Sequence, residues 1–103
     1  MNRRALDFSK INAAALPALP ALCARWMPYG KRVGREYLAC NPTRADRRPG
    51  SFKVNLQSGR WADFATGDKG GDAVSLAAYL FGLRQSEAAR RLAHALGISE
   101  GAP

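Results

Sequence analysis

Histidine occurs once in the chain, as His94, and cysteine only twice, as Cys23 and Cys40. Two isolated cysteines cannot make the dense disulfide framework of a small secreted domain, so both are expected to be free thiols in the cytoplasm. His94 falls inside a helical pattern with no acid–base partner in sequence, which argues against proton-transfer catalysis. Asp46, Asp63, Asp68 and Asp72 are scattered over loops and turns. Asp68 and Asp72 read as a turn residue and a helix cap rather than as metal ligands. Cys40 lacks an activating base, and neither a nucleophile elbow nor a Walker loop is present. The chain is therefore expected not to be an enzyme by itself. Long apolar runs are missing too. None approaches the ~20 residues of a bilayer span, and Pro17 and Pro20 break the one N-terminal stretch that could pass for a signal-peptide core. The cytoplasm is the expected compartment, and no membrane partner is expected. No internal repeat is seen, and no low-complexity segment beyond an alanine bias.

What the sequence does have is positive charge: 16 lysines and arginines against 8 acidic residues in 103, a formal net of +8. The excess is uneven. Residues 1–30 carry a net of +3, residues 31–69 a net of +5, and residues 70–103 are neutral. Cations kept only for solubility would be spread evenly. A concentrated excess suits a polyanion, because each cation set on a phosphate releases condensed counterions. The length allows one domain with a core and not two.

Along the chain, residues 9–27 are rich in alanine and leucine and read as helix, with Ser9 as the expected N-cap. Pro17 and Pro20 are expected to split that helix in two. Leu16, Leu19, Leu22, Cys23 and Trp26 recur at three- and four-residue steps and should form its buried face. Residues 35–40 read as a strand. Residues 41–51, aperiodic and carrying Arg44, Arg47 and Arg48, read as a surface loop. Residues 51–56 alternate, with Phe52, Val54 and Leu56 on one side and Lys53 and Asn55 on the other, as a half-buried strand does. A turn at Gly59 leads to a further strand over 61–65. Residues 66–71 form a glycine-rich turn, then two helices follow within 72–96. Asp72 and Ser86 are their expected caps, and Gly82 and Gly97 their stops. The first helix should face inward through Val74, Leu76, Ala77 and Leu80, the second through Ala89, Leu92, Ala93 and Leu96. The expectation is a single α+β domain over 1–103: a small three-stranded antiparallel sheet over 35–65, an N-terminal helix and two C-terminal helices. Residues 1–8 and 99–103 are expected to be solvated tails.

Two constellations bear on binding. The turn TGDKGGD (66–72) could cradle a phosphate on backbone amides with Lys69 beside them. It reads better as a tight strand-to-helix connection, since Asp72 at the cap would repel an anion. The stronger pattern lies over residues 50–71, where Phe52, Trp61 and Phe64 alternate with Lys53, Arg60 and Lys69. Exposed rings can stack bases while cations follow phosphates. Phe52 and Phe64 are expected in the core, which leaves Trp61 as the ring for stacking. Arg44, Arg47 and Arg48 are the expected backbone contacts.

The segment from about 35 to 96 resembles the N-terminal zinc-binding domain of bacterial and phage DNA primases. The resemblance rests on the strand ending at Cys40, RRPGSFKVN (47–55), WADF (61–64), DKGGDAVSLAAYLFGL (68–83) and SEAARRLA (86–93). It looks closer still to variants in primase- or helicase-like proteins of prophages and integrative elements. The family's two ligand pairs would fall at Cys40 and Thr43 and at Phe64 and Gly67, where only one residue can bind zinc. A structural site needs four, so a zinc-ribbon-like but metal-free fold is expected, without cofactor, with Phe64 filling the metal's space. The resemblance implies an accessory module that holds single-stranded or primer–template DNA for a polymerising domain. Its implied contacts are Arg47, Arg48, Lys53, Arg60, Trp61 and Lys69, with DNA favoured over RNA. The alternative expectation is a protein-interaction module that docks onto a helicase or polymerase through the neutral C-terminal helices.

Overall fold

The computed structural model describes residues 5–43 and 51–101. The arginine loop at Arg44, Arg47 and Arg48 and the outermost terminal residues lie outside the described residues. The order is α1 (Phe8–Trp26), β1 (Lys31–Val33), β2 (Glu36–Ala39), β3 (Phe52–Asn55), β4 (Trp61–Asp63), β5 (Lys69–Gly70), α2 (Ala73–Phe81) and α3 (Gln85–Leu96). The α+β reading and all three helical regions stand, but the sheet has five strands rather than three. They are antiparallel, in the order β1-β2-β3-β4-β5. The two additional strands are short, of three and two residues. Lys31–Val33 folds back on β2 through Gly34, whose φ of +59° suits a residue without a side chain. Lys69–Gly70 pairs with the far edge of β4. Neither alternates long enough to show in sequence.

Helix α1 runs unbroken through Pro17 and Pro20, which corrects the expected split. Each proline removes one backbone donor. Burial explains why the helix survives, because Ile11, Ala15, Leu19, Leu22 and Cys23 form one stripe against the core while Pro17 sits on the open side. The cap is Asp7, not Ser9, and its carboxylate accepts from the Lys10 amide at 3.0 Å. For α3 the cap position is Arg84, which makes no side-chain cap bond, and Ser86 lies inside the helix. Helix α2 begins as expected, with Asp72 accepting from the Ser75 amide at 2.8 Å. Asn12 of α1 accepts from the Val74 amide at 2.9 Å, so α1 also closes the start of α2. Gly82 and Gly97 end α2 and α3 in the left-handed conformation.

Within the expected tails, the described residues Leu6, Asp7, Glu100 and Gly101 are held in place. Leu6 and Gly101 form an antiparallel bridge, the Asp7 amide donates to the Glu100 carbonyl at 3.0 Å, and the Lys10 ammonium donates to the Gly101 carbonyl at 3.1 Å. The helices pack on one face of the sheet, where Phe52, Val54, Trp61 and Tyr37 meet Leu76, Val74 and the α1 stripe. Among the described residues, no helix is long and apolar enough to cross a membrane.

Cys23 is fully buried in this core, and burial pushes its thiol up to about 12. Burial, then the charge of Cys23, raises the Tyr37 phenol as well, and that phenol donates to the Met27 carbonyl at 2.6 Å. Both folded groups hold their protons above their unfolded values, so their contribution is complete below about pH 9 and is lost as pH rises toward 12. Stability by urea denaturation should therefore decline through that window, and Cys23→Ala should flatten the decline. An equally steep decline in Cys23→Ala would remove Cys23 as its source.

Candidate nucleic-acid interface

The pleat sorts side chains between the two faces of the sheet. Residues directly opposite across all five strands are Lys31, Leu38, Lys53, Ala62 and Lys69. This row faces away from the helices, because its neighbours in sequence Tyr37, Val54 and Trp61 are the buried ones. Adjacent strands are ~4.8 Å apart, so the three lysines stand roughly 10 Å from one another over about 19 Å. Small or aliphatic residues between them leave the ammonium groups room to reach out.

Lys53, Arg60 and Lys69 line one shallow depression of about 280 Å³ on this face, together with Glu36, Asn55 and Phe64. Arg60 enters from the β3–β4 turn. There Asn55 accepts from the amides of Gln57 and Ser58 at 2.9 and 3.0 Å, and Gly59 takes a φ of +82°. Glu36 is the one acidic residue lining the depression among the described residues. Three of the four described sequence-predicted residues thus meet in one place with their charges outward.

Trp61 is different. It is 5% exposed, its ring lies 4.7 Å from Tyr79 and 5.8 Å from Phe52, and its indole N–H donates to the Ser75 hydroxyl at 3.0 Å. Only its edge reaches the depression, so its face is not open to a base. Gly70 passes so close over this ring that a Cβ there would come within 2.5 Å of it. The open ring is Phe64, 71% exposed, with the Lys53 ammonium 5.3 Å from its centroid. This reverses the expected assignment of the two rings. The signal was present as strict alternation: Trp61 and Asp63 fall on one side of the strand and Ala62 and Phe64 on the other, so Trp61 and Phe64 could not share a face. Lys31 was missed because its strand was not recognised.

The glycine turn does not cradle an anion at the start of α2. The Val74 and Ser75 amides that would do so already donate to Asn12 and Asp72.

The positions that the primase resemblance assigns to zinc do not fit that metal. Phe64 points into solvent rather than filling the space, Cys40 is the one thiol there, and no group of three His, Cys, Asp or Glu among the described residues is placed to hold an ion. The two loops are instead joined by hydrogen bonds. The Asn41 amide donates to Asp63 Oδ2 at 2.7 Å and to the Tyr79 hydroxyl at 2.8 Å, and that hydroxyl donates to Asp68 at 2.8 Å. Asn41 also accepts from the Thr43 amide, and Asp63 from the Ala65 amide, each at 2.8 Å, so each residue shapes its own turn while holding the other. Both are fully buried. The sequence reading did not single out Asn41. No family model matches the chain, and no curated protein is similar to it at a significant level.

Proposed function

We infer that the protein is a nucleic-acid-binding accessory module that holds single-stranded DNA on the outer face of its sheet, in the service of a primase-like replication protein. The observation that carries this reading is the convergence of Lys53, Arg60 and Lys69 on one depression beside the exposed ring of Phe64. Cations on a common face attract phosphates without reading sequence, and a neighbouring ring offers a stacking surface that any base can use. The row of Lys31, Lys53 and Lys69 defines a path for a strand running across the β-strands. The binding chemistry needs neither metal nor cofactor.

Fluorescence anisotropy of labelled single-stranded DNA across a salt series tests the reading. With about 4–6 phosphate contacts, log affinity should fall with log salt at a slope near −3 to −4. The double variant Lys53→Glu/Lys69→Glu should weaken binding at low salt by about tenfold or more and make the slope shallower by about 1.4. A slope near zero in the unaltered protein, or an unchanged affinity in the double variant, would rule the sheet face out. Duplex DNA and RNA of equal length, measured in parallel, establish the preferred strand.

A further inference from the structure

The helical side of the molecule carries a second concave surface that strand binding does not use. It is a groove of about 290 Å³ between the C-terminal half of α1, the end of α2 and the face of α3. Leu22, Trp26, Phe81, Leu83 and Leu92 line it, and Arg25 and Arg91 stand on its rim. Phe81 is 53% exposed and meets the half-buried Trp26 edge to face at 5.7 Å, so one open ring stands at the surface against a second that is partly covered. We propose that this groove docks an acidic amphipathic helix of a partner protein, its apolar side chains entering between Trp26 and Leu92 and its carboxylates meeting Arg25 and Arg91.

Charge selects this occupant. The only acidic group beside the rim among the described residues is Glu87, and it is already engaged by Arg91 at 3.1 Å. The rim therefore offers a net positive edge around an apolar floor, the complement of a helix with acidic flanks and apolar anchors. A second copy of this chain would bring its own Arg25 and Arg91 against the same arginines. A nucleic acid would find two cations here, one of them already paired with Glu87, whereas the other side of the molecule offers an aligned row of lysines.

The test uses the isotope-labelled full chain, titrated by NMR with a synthetic peptide of about 16 residues bearing Leu at i, i+3, i+4 and i+7 and mainly Glu elsewhere. The control peptide has Lys for Glu. Shift changes should concentrate on Trp26, Phe81 and the Arg25 turn, and the lysine peptide should bind at least about tenfold more weakly. Arg25→Glu and Phe81→Ser, both surface changes, should each weaken the acidic peptide by about tenfold while circular dichroism and single-strand affinity stay unchanged. Equal binding of the two peptides, shifts confined to the sheet face, or no shifts at all would overturn the proposal. So would self-association abolished by Phe81→Ser, which would give the groove to a second copy, or displacement of the peptide by single-stranded DNA.

Discussion

Trp61→Ala is expected to lower stability by about 3–5 kcal/mol, whereas Phe64→Ala should stay within ~0.5 kcal/mol of the unaltered protein. The two rings lie three residues apart and would be interchangeable to an eye scanning for aromatics. Trp61 closes a stack with Phe52 and Tyr79 and anchors its indole on Ser75, the residue that completes the start of α2. Removing it opens a cavity between sheet and helix and leaves the Ser75 hydroxyl one partner short. Phe64 packs against little beyond the Lys53 side chain. Its loss should instead appear in binding, as a decrease of about 1–3 kcal/mol in single-strand affinity. Urea denaturation and anisotropy on the same two variants check both halves. If Phe64→Ala bound as well as the parent, stacking would drop out of the proposed function and only the electrostatic contacts would remain.

Asp63→Ala is expected to cost on the order of 3 kcal/mol or more, out of proportion to the size of the group removed. The carboxylate is fully buried and accepts from both the Asn41 side chain and the Ala65 amide. Alanine would take a buried acceptor from the Asn41 side chain at the point where the 40–43 and 63–68 loops are joined. Tyr79→Phe tests the outer part of the same network. It keeps the ring against Trp61 and removes the hydroxyl between Asn41 and Asp68, so a loss of about 1 kcal/mol is expected. A cost below that for Asp63→Ala, measured by denaturant midpoint, would mean that other contacts hold the two loops together. The buried Asn41–Asp63 pair thus links the two loops from within, while Phe64, next to Asp63 in sequence, faces solvent.

Periodicity in the sequence was enough for the long elements and failed for the short ones. The helices at 73–81 and 85–96 and the alternating strand at 52–55 could be read because their buried residues repeat several times. Strands of two and three residues cannot repeat: Trp61–Asp63 was legible from its aromatics and the turn at Gly59 before it, whereas Lys31–Val33 and Lys69–Gly70 carry no such signal. The prolines of α1 misled because local backbone cost was weighed without the tertiary burial that outweighs it. At the candidate site, charge alone singled out Lys53, Arg60 and Lys69, and the sheet brings these three to one depression. The rings were misassigned because burial depends on which side of a strand a residue occupies, and WADF was read by composition instead of by alternation. Asn41 escaped notice because its role exists only once Asp63 is brought beside it.

The bridge between Leu6 and Gly101 sets the first and last elements of the described fold side by side. A linker of a few residues could join them without moving α1 or α3, and the backbone could then be opened at the Gly34 hairpin, where an added Cβ would meet nothing within 4 Å. Such a circular permutant should fold to the same sheet and keep its lysine row, because no paired strand is cut and only the order of synthesis changes.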